Sequence, residues 1–384
     1  MSYLFPTYSR WDVSIVEGDG ARVKDASGKS YLDFISGIAV TNLGHRHENV
    51  KRALENQLDK VWHVSNLFQN DLQEEAAKLL CDNSCADAVF FCNSGAEANE
   101  AAIKLARKHT NKEKIITFKQ SFHGRTFATM AATGQEKVRE GYGTMLPSFD
   151  YYEYNDTESM RKLDDHSVAA IMLEVVQGEG GVRPADPEFL KEAEKACKRV
   201  GALLIIDEVQ TGIGRTGYFF AHQKESIQPD IITAAKGLGS GFPVGAMLGK
   251  KELASSFGPG SHGTTFGGSM LAMAAVKATI ETVLENEFLE QVVEKGSYLM
   301  NILEKELQSS NKVEGIRGKG LMIGIECREP VGSMITALRE AGILVLPAGE
   351  RVIRLLPPLT VSKEEIEEAA EGLKQVLNSA EVSV

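Results

Sequence analysis

The stretch Leu203-Leu204-Ile205-Ile206-Asp207-Glu208-Val209-Gln210-Thr211-Gly212 decides the fold. Its run of apolar residues reads as a strand buried on both faces, the mark of a parallel sheet covered by helices. Asp207 stands where that strand should end, and a buried acid is costly unless a cation or a donor meets it. A second stretch, Ile231-Ile232-Thr233-Ala234-Ala235-Lys236-Gly237-Leu238-Gly239, has the same form with the opposite charge. Open parallel sheets bind ligands at the carboxyl ends of their strands, so Asp207 and Lys236 predict a ligand held between them. A lysine there can form a Schiff base with a carbonyl. An acid facing a ring nitrogen suits pyridoxal phosphate acting as an electron sink. Taken singly, each residue also fits a plainer role, Asp207 as a cap and Lys236 as a solvated loop residue.

Outward from this core, further strands are expected at 88–92, 114–118, 169–175 and 244–248, with helical patterns between several of them. Such alternation predicts an α/β fold with a mostly parallel sheet and helices on both faces. Upstream, residues 11–34 read as a small antiparallel meander, and 47–80 as helical from the recurrence of Val50, Leu54, Leu58 and Val61 and then Leu72, Ala76, Leu79 and Leu80. Past residue 268 come two long helical patterns, then short strands, then a last helix opened by Ser362-Lys363-Glu364-Glu365, a capping box. This tail reads as an α+β satellite that the N-terminal meander joins, since neither has much core alone. The expected division is 1–60 for the N-terminal part of the small domain and a linking helix, 61–264 for the large ligand-binding domain, and 265–384 for the C-terminal small domain.

Composition narrows the class. The 384 residues are 43% hydrophobic and 25% charged, an ordinary globular balance. A formal net charge of -11 argues against nucleic acid or an anionic membrane as partner. The start, Met1-Ser2-Tyr3-Leu4-Phe5-Pro6, lacks the pattern of a signal peptide, and no apolar run approaches the ~20 residues of a membrane span. The 5 cysteines form no metal pattern, and their odd number fits reduced thiols, so a cytoplasmic location is expected. His45 and His47 have no carboxylate at ligand spacing and read as a structural loop; no metal is expected.

Four further constellations carry chemistry, each with two readings open. Asn93-Ser94-Gly95-Ala96-Glu97-Ala98-Asn99 lies between a strand and a helix, either as a phosphate seat or as a plain helix cap. In Ser121-Phe122-His123-Gly124-Arg125-Thr126, Phe122 can stack on a flat ring and Arg125 can bind a carboxylate, or they are a buried aromatic and a solvated cation. Gln177-Gly178-Glu179-Gly180-Gly181 lets Glu179 approach a ligand, or is a solvent loop. Gly263-Thr264-Thr265-Phe266-Gly267-Gly268 offers hydroxyls to a phosphate, weakly as a lone motif. Arg354, a cation in an apolar strand, calls for a partner: a substrate carboxylate or Glu179.

In order and over nearly the whole chain, these stretches resemble the class III aminotransferases of the fold type I pyridoxal phosphate enzymes. The specific motifs are Asn93-Ser94-Gly95-Ala96-Glu97-Ala98-Asn99, Phe122-His123-Gly124-Arg125, Asp207-Glu208-Val209-Gln210-Thr211-Gly212 and Ala235-Lys236-Gly237. Length, Tyr8-Ser9-Arg10 and Ser65-Asn66-Leu67-Phe68 resemble most the bacterial branch that takes N2-acetyl-L-ornithine. The resemblance implies catalytic roles for Lys236, which bonds pyridoxal 5'-phosphate as a Schiff base and moves the proton, and for Asp207, which pairs with the ring nitrogen. It implies cofactor contacts from Ser94, Gly95, Ala96, Phe122, Glu208, Val209 and Gln210, and from Thr265 across a homodimer with shared sites. It implies substrate contacts from Arg125, Thr264, Glu179 and Arg354, with Glu179 a switchable partner of Arg354.

Two positions depart from the pattern. Relatives often have proline where Val175 stands, which touches backbone stiffness only. Relatives taking free ornithine carry a tyrosine in the loop where this chain has Ile38, and an isoleucine also occurs in relatives acting on 4-aminobutyrate. The expected reaction passes the terminal amine of N-acetylornithine to 2-oxoglutarate, giving glutamate. Succinylornithine, ornithine, 4-aminobutyrate and an acylated lysine precursor are the alternative donors. An amine-shuffling mutase and a non-catalytic ligand-binding protein are the rival classes.

Overall fold

The structure is a computed structural model that describes residues 3–379, so Met1 and Ser2 of the quoted start lie outside the described residues. A seven-stranded sheet forms its centre, in the order Ala88–Cys92, Gly245–Gly249, Ile231–Ala234, Leu203–Asp207, Val168–Glu174, Lys114–Phe118 and Phe149–Tyr152. Neighbours pair in parallel except at Gly245–Gly249, which runs antiparallel to both of its partners. Every residue of Val168–Glu174 is buried, as its unbroken apolar run dictates when both faces are covered. One face packs on Phe189, Leu190, Ala193 and Val200 of the helix Pro187–Val200. The other packs on Ala101, Ala102, Leu105 and Ala106 of Gly95–Thr110, where small side chains let the helix lie close. The edge strand Phe149–Tyr152 has no apolar run of its own, and only pairing with Lys114–Phe118 reveals it.

The meander Ile15–Asp19, Arg22–Asp25 and Ser30–Asp33 joins the C-terminal part through a parallel pair with Ile343–Leu344. Ala21, Leu32 and Phe34 share one core with Leu299, Ile323, Ile353 and Leu373, so the two chain ends build one hydrophobic cluster. The helix Met270–Val283 departs from the expected grouping. It packs with Ala76, Leu80, Leu238 and Leu248, in the core of the large sheet. It is apolar nearly all round, and a helix without a polar face must be covered on all sides.

Arg215 pins the two parts together. It is wholly buried, and its guanidinium donates to Leu321 O (3.1 Å), to Pro357 O and to Asn42 Oδ1 (3.0 Å). Burial pushes its pKa down to about 9. No described helix is long and apolar enough to cross a membrane, and no group of three or more His, Cys, Asp or Glu among the described residues is placed to hold a metal ion.

The last helix, Lys363–Asn378, starts on its capping box: Ser362 Oγ accepts from Glu365 N (3.2 Å) and Glu365 Oε2 accepts from Ser362 N (3.0 Å). Replacing Ser362 by Ala removes half of that exchange and is expected to cost about 1 kcal/mol. Denaturant unfolding that shows an unchanged midpoint would contradict the assignment.

Candidate active site

Three adjacent strands carry polar residues side by side at or next to their ends, with Asp207 in register with Glu174 on one side and Thr233 on the other. Asp207 is only 3% exposed. Its Oδ2 accepts from Asn99 Nδ2 (2.8 Å) and His123 Nδ1 (2.8 Å), and its Oδ1 from Val209 N (3.0 Å). Asn99 is itself held, taking the Thr233 hydroxyl on Oδ1 (2.7 Å) and giving Nδ2 to His123 O (2.8 Å). Burial alone would push the His123 imidazole down; the hydrogen bond and charge of Asp207, helped by Glu174, outweigh it and raise the pKa. Asp207 thus has three donors in a buried place, as a buried acid requires.

Lys236 follows the neighbouring strand and opens a short 3-10 turn, Lys236–Gly239, at φ 46. A non-glycine residue pays for this left-handed conformation with strain, and such outliers gather at functional sites. Burial pushes the Lys236 ammonium below its ordinary value; Glu179 opposes the shift and Arg354 adds to it. More of the amine is thus in its neutral, nucleophilic form near neutral pH.

On the other side of the cavity the helix Gly95–Thr110 begins directly after the strand Ala88–Cys92. Ser94 Oγ caps it by accepting from Glu97 N (3.2 Å). The first amides of such a helix have no partner within it and face an anion well. A Cβ on Gly95 would stand 2.7 Å from Val209 Cγ1, so glycine is what allows the turn after Asp207 to press against the helix start.

Asp207, Lys236, Ser94, Gly95, Ala96, Phe122, Arg125, Glu179, Val209 and Gln210 line one cavity of about 390 Å³. Phe122 is held by its amide, which donates to Glu174 Oε2 (3.1 Å). Arg125 is exposed, its Cζ 5.6 Å from the centre of the Phe122 ring. Arg354 lies behind the lining, buried, and donates through Nη1 to Glu179 Oε1 (2.6 Å) and Gln210 Oε1 (3.1 Å). Burial would raise the Glu179 carboxyl, but Arg354 outweighs it and holds it below its usual range.

Val40, also in the lining, follows an unusual turn. Ser36, Gly37, Ile38 and Ala39 all have positive φ (49, 61, 68 and 61), one left-handed turn of helix. Left-handed backbone costs roughly 1–2 kcal/mol for each non-glycine residue. Asp33 holds the turn, its Oδ1 accepting from Ile35 N and Ser36 N (2.9 Å each) while His45 Nε2 meets its Oδ2 (2.7 Å).

Three sequence candidates lie elsewhere in the single chain. Glu208, expected among the cofactor contacts, turns away from the cavity, because successive residues after an extended strand end point to opposite sides. Its carboxylate takes His222 N and Nδ1 (2.9 Å each) and the Thr211 hydroxyl. Burial would lower the His222 imidazole, but Cys85 and Glu208 bring it up to about 9. Thr264 Oγ1 accepts from Asn93 Nδ2 (3.0 Å) beside a neighbouring cleft, and Thr265 is exposed, outside the cavity of its own chain. Sequence reading gave no role to Asn99, His123 or Glu174. The first two stand inside the quoted motifs, and a buried acid's need for donors was the signal that could have found them.

Comparison with known proteins now bears on this geometry. The family model for "Aminotransferase class-III" matches residues 6–377. The chain belongs to that family. It is 61% identical over 378 residues to the acetylornithine aminotransferase of Bacillus subtilis (strain 168), covering 98% of each chain. It is 55% identical to the acetylornithine aminotransferase of Listeria innocua, again over 98% of each. Among solved structures it is similar to the ornithine aminotransferase of Toxoplasma gondii ME49 (TM-score 0.93, 32% identity, 98% of this chain and 92% of that one). It is also similar to the N-acetylornithine aminotransferase of Stenotrophomonas maltophilia K279a (TM-score 0.85, 35% identity, 96% of each).

Class-III aminotransferases imply pyridoxal phosphate, and the donor set fits that group. An anion seat at a helix start, an aromatic side chain in the wall, a buried carboxylate with a lone pair to spare and a lysine of lowered pKa line one cavity of about 390 Å³, enough for a ligand of this size.

The His123–Asp207 pair also sets a pH dependence. A histidine whose folded pKa is raised adds stability that is complete below its unfolded pKa of about 6.5 and lost as pH rises through the folded value. Asp207→Asn in cofactor-free protein is therefore expected to cost about 3–5 kcal/mol near pH 6, with a smaller gap at higher pH. A gap that grows with pH in thermal or denaturant unfolding would reverse the assignment.

Proposed function

We propose that this aminotransferase passes the terminal amine of N2-acetyl-L-ornithine to 2-oxoglutarate, giving N-acetyl-L-glutamate 5-semialdehyde and L-glutamate, a step of arginine biosynthesis. The reading is carried by Lys236 and Asp207 lining one cavity in a chain 61% identical, end to end, to a relative named for acetylornithine.

Bound pyridoxal phosphate supplies a carbonyl carbon for the amine and a ring that draws electrons from the adjoining carbon. Lys236 Nζ would hold that group covalently and, when released, would move the proton at the amine-bearing carbon. Asp207, held by Asn99, His123 and Val209 N, would accept from the ring nitrogen. Phe122 would cover a ring face, Gln210 would lie close to the ring, and the amides of Gly95 and Ala96 with Ser94 would bind the phosphate. Arg125, exposed at the mouth, binds the carboxylate of the acylated donor. Arg354 binds the α-carboxylate of glutamate or 2-oxoglutarate when Glu179 swings aside, and pairs with Glu179 for the other substrate.

A second copy of the chain completes the site on this reading. Leu58, Val61, Trp62, Leu67 and Phe68 are exposed, as is Phe266 in the turn 263–268. Asn66 Nδ2 ties the two stretches by donating to Gly267 O (3.0 Å). An apolar surface of this kind suits a homodimer in which Thr265 of one copy reaches the other's phosphate and Thr264 lies near its substrate.

The test is a half-reaction on purified, cofactor-loaded protein with single amine donors and no keto acid. N-acetylornithine is expected to change the cofactor's absorbance faster than ornithine or 4-aminobutyrate, and 2-oxoglutarate to restore it. A faster response to another donor would overturn the substrate. Lys236→Ala is expected to abolish turnover. Asp207→Ala should lower kcat by about 10²–10³, the scale of a buried electrostatic contact. Near-normal turnover in either variant would remove that residue from the mechanism.

A further inference from the structure

Glu174 is a buried carboxylate that the mechanism above leaves unused. It ends the strand beside Asp207, in register with it. Its two oxygens reach two separate loops: Oε2 accepts from Phe122 N (3.1 Å) and Oε1 from Gly178 N (3.4 Å). The first loop carries the ring-facing Phe122 together with His123; the second carries Glu179, the partner of Arg354. The Glu174 backbone is fixed as well, its carbonyl accepting from Tyr154 OH (2.7 Å).

We propose that Glu174 is a positioning residue: its single carboxylate sets Phe122 and the Glu179 turn at one spacing and faces the His123–Asp207 pair from the neighbouring strand end. This rests on the cofactor-site reading of Asp207 given above. Three observations support it. The amide contacts run to both walls of the cavity, so moving the carboxylate moves both. The His123 Nε2 is buried without a hydrogen-bond partner among the described residues, so the imidazole is held through Nδ1, at Asp207. Asp207 lies on one side of the imidazole, and Glu174 adds to the field that raises its pKa. The titratable groups facing Glu174 are His123 from the loop after Lys114–Phe118, Asp207 on the next strand, Tyr154 through its hydroxyl, Lys236 across the cavity and Glu179 along the turn. Burial dominates and brings Glu174 up to about 7, with His123 pulling it down and Asp207 pushing it further up.

The test reads His123 directly. Cofactor-free protein with 15N-labelled histidine is titrated by NMR, with His123→Asn to assign the signal. Glu174→Gln keeps the shape and removes the charge, and the His123 midpoint is expected to fall by about one unit. Glu174→Asp keeps the charge and should leave the midpoint near that of the parent. A midpoint unmoved by Glu174→Gln, or moved equally by both variants, overturns the proposal. If neither variant folds, the parent decides: slow hydrogen exchange of the Phe122 and Gly178 amides supports the two contacts to Glu174, and fast exchange of both overturns the proposal. In loaded enzyme, Glu174→Gln should also lower the pH midpoint of the cofactor's absorbance, which loss of packing alone would leave in place. Because the His123 titration needs neither cofactor nor substrate, it stands apart from the half-reaction that tests the function.

Discussion

The structure depends most on meeting the buried Asp207 carboxylate with donors. An isolated carboxylate in that place would take up a proton to escape the cost of desolvation. Asn99 from the helix Gly95–Thr110, His123 from a loop and Val209 from the following turn all donate to it. Thr233, on the next strand, fixes Asn99 in turn. These groups come from four separate parts of the chain, and the sheet holds them in register. The helix that contributes Asn99 is also the one whose start faces the cavity, so support for the acid and a seat for an anion come from one element.

The opposite charges are managed by a different device. Arg354 is buried and meets the Glu179 carboxylate, whose charge also acts on Lys236. Arg354 belongs to the C-terminal strands and Glu179 to the large sheet's loops, so their contact crosses between the two parts of the molecule. Arg215 holds those parts with backbone carbonyls and no carboxylate. That arrangement fixes a position without adding a negative charge near Lys236. A salt bridge at the cavity and a buried cation that meets uncharged oxygens thus join the two parts by different chemistry.

Much of the sheet was legible because strands buried on both faces are written as unbroken apolar runs. Leu203–Asp207, Ile231–Ala234 and Lys114–Phe118 were found this way, to within a residue. Phe149–Tyr152 was not, since an edge strand is half exposed and carries mixed residues. The satellite was harder. Ile343–Leu344 is a strand only through its pairing with Ser30–Asp33, more than three hundred residues away in sequence. The helix Met270–Val283 looked like the start of the satellite, because the composition changes there, but its apolar surface found cover in the large sheet's core.

By itself the sequence determined the kinds of groups at the strand ends: an acid after one apolar run, a lysine after the next, glycines where backbones must come close. Those follow from local chemistry and periodicity, which need no partner to be read. Only the tertiary structure decided how the groups are shared. It turned Glu208 away to His222 while Asp207 faced the cavity, brought Asn99 and His123 to the acid, and joined Arg354 to Glu179 and Gln210. Each of these depends on residues far apart in the chain meeting at hydrogen-bond distance, and such meetings leave no period and no fixed spacing in the sequence.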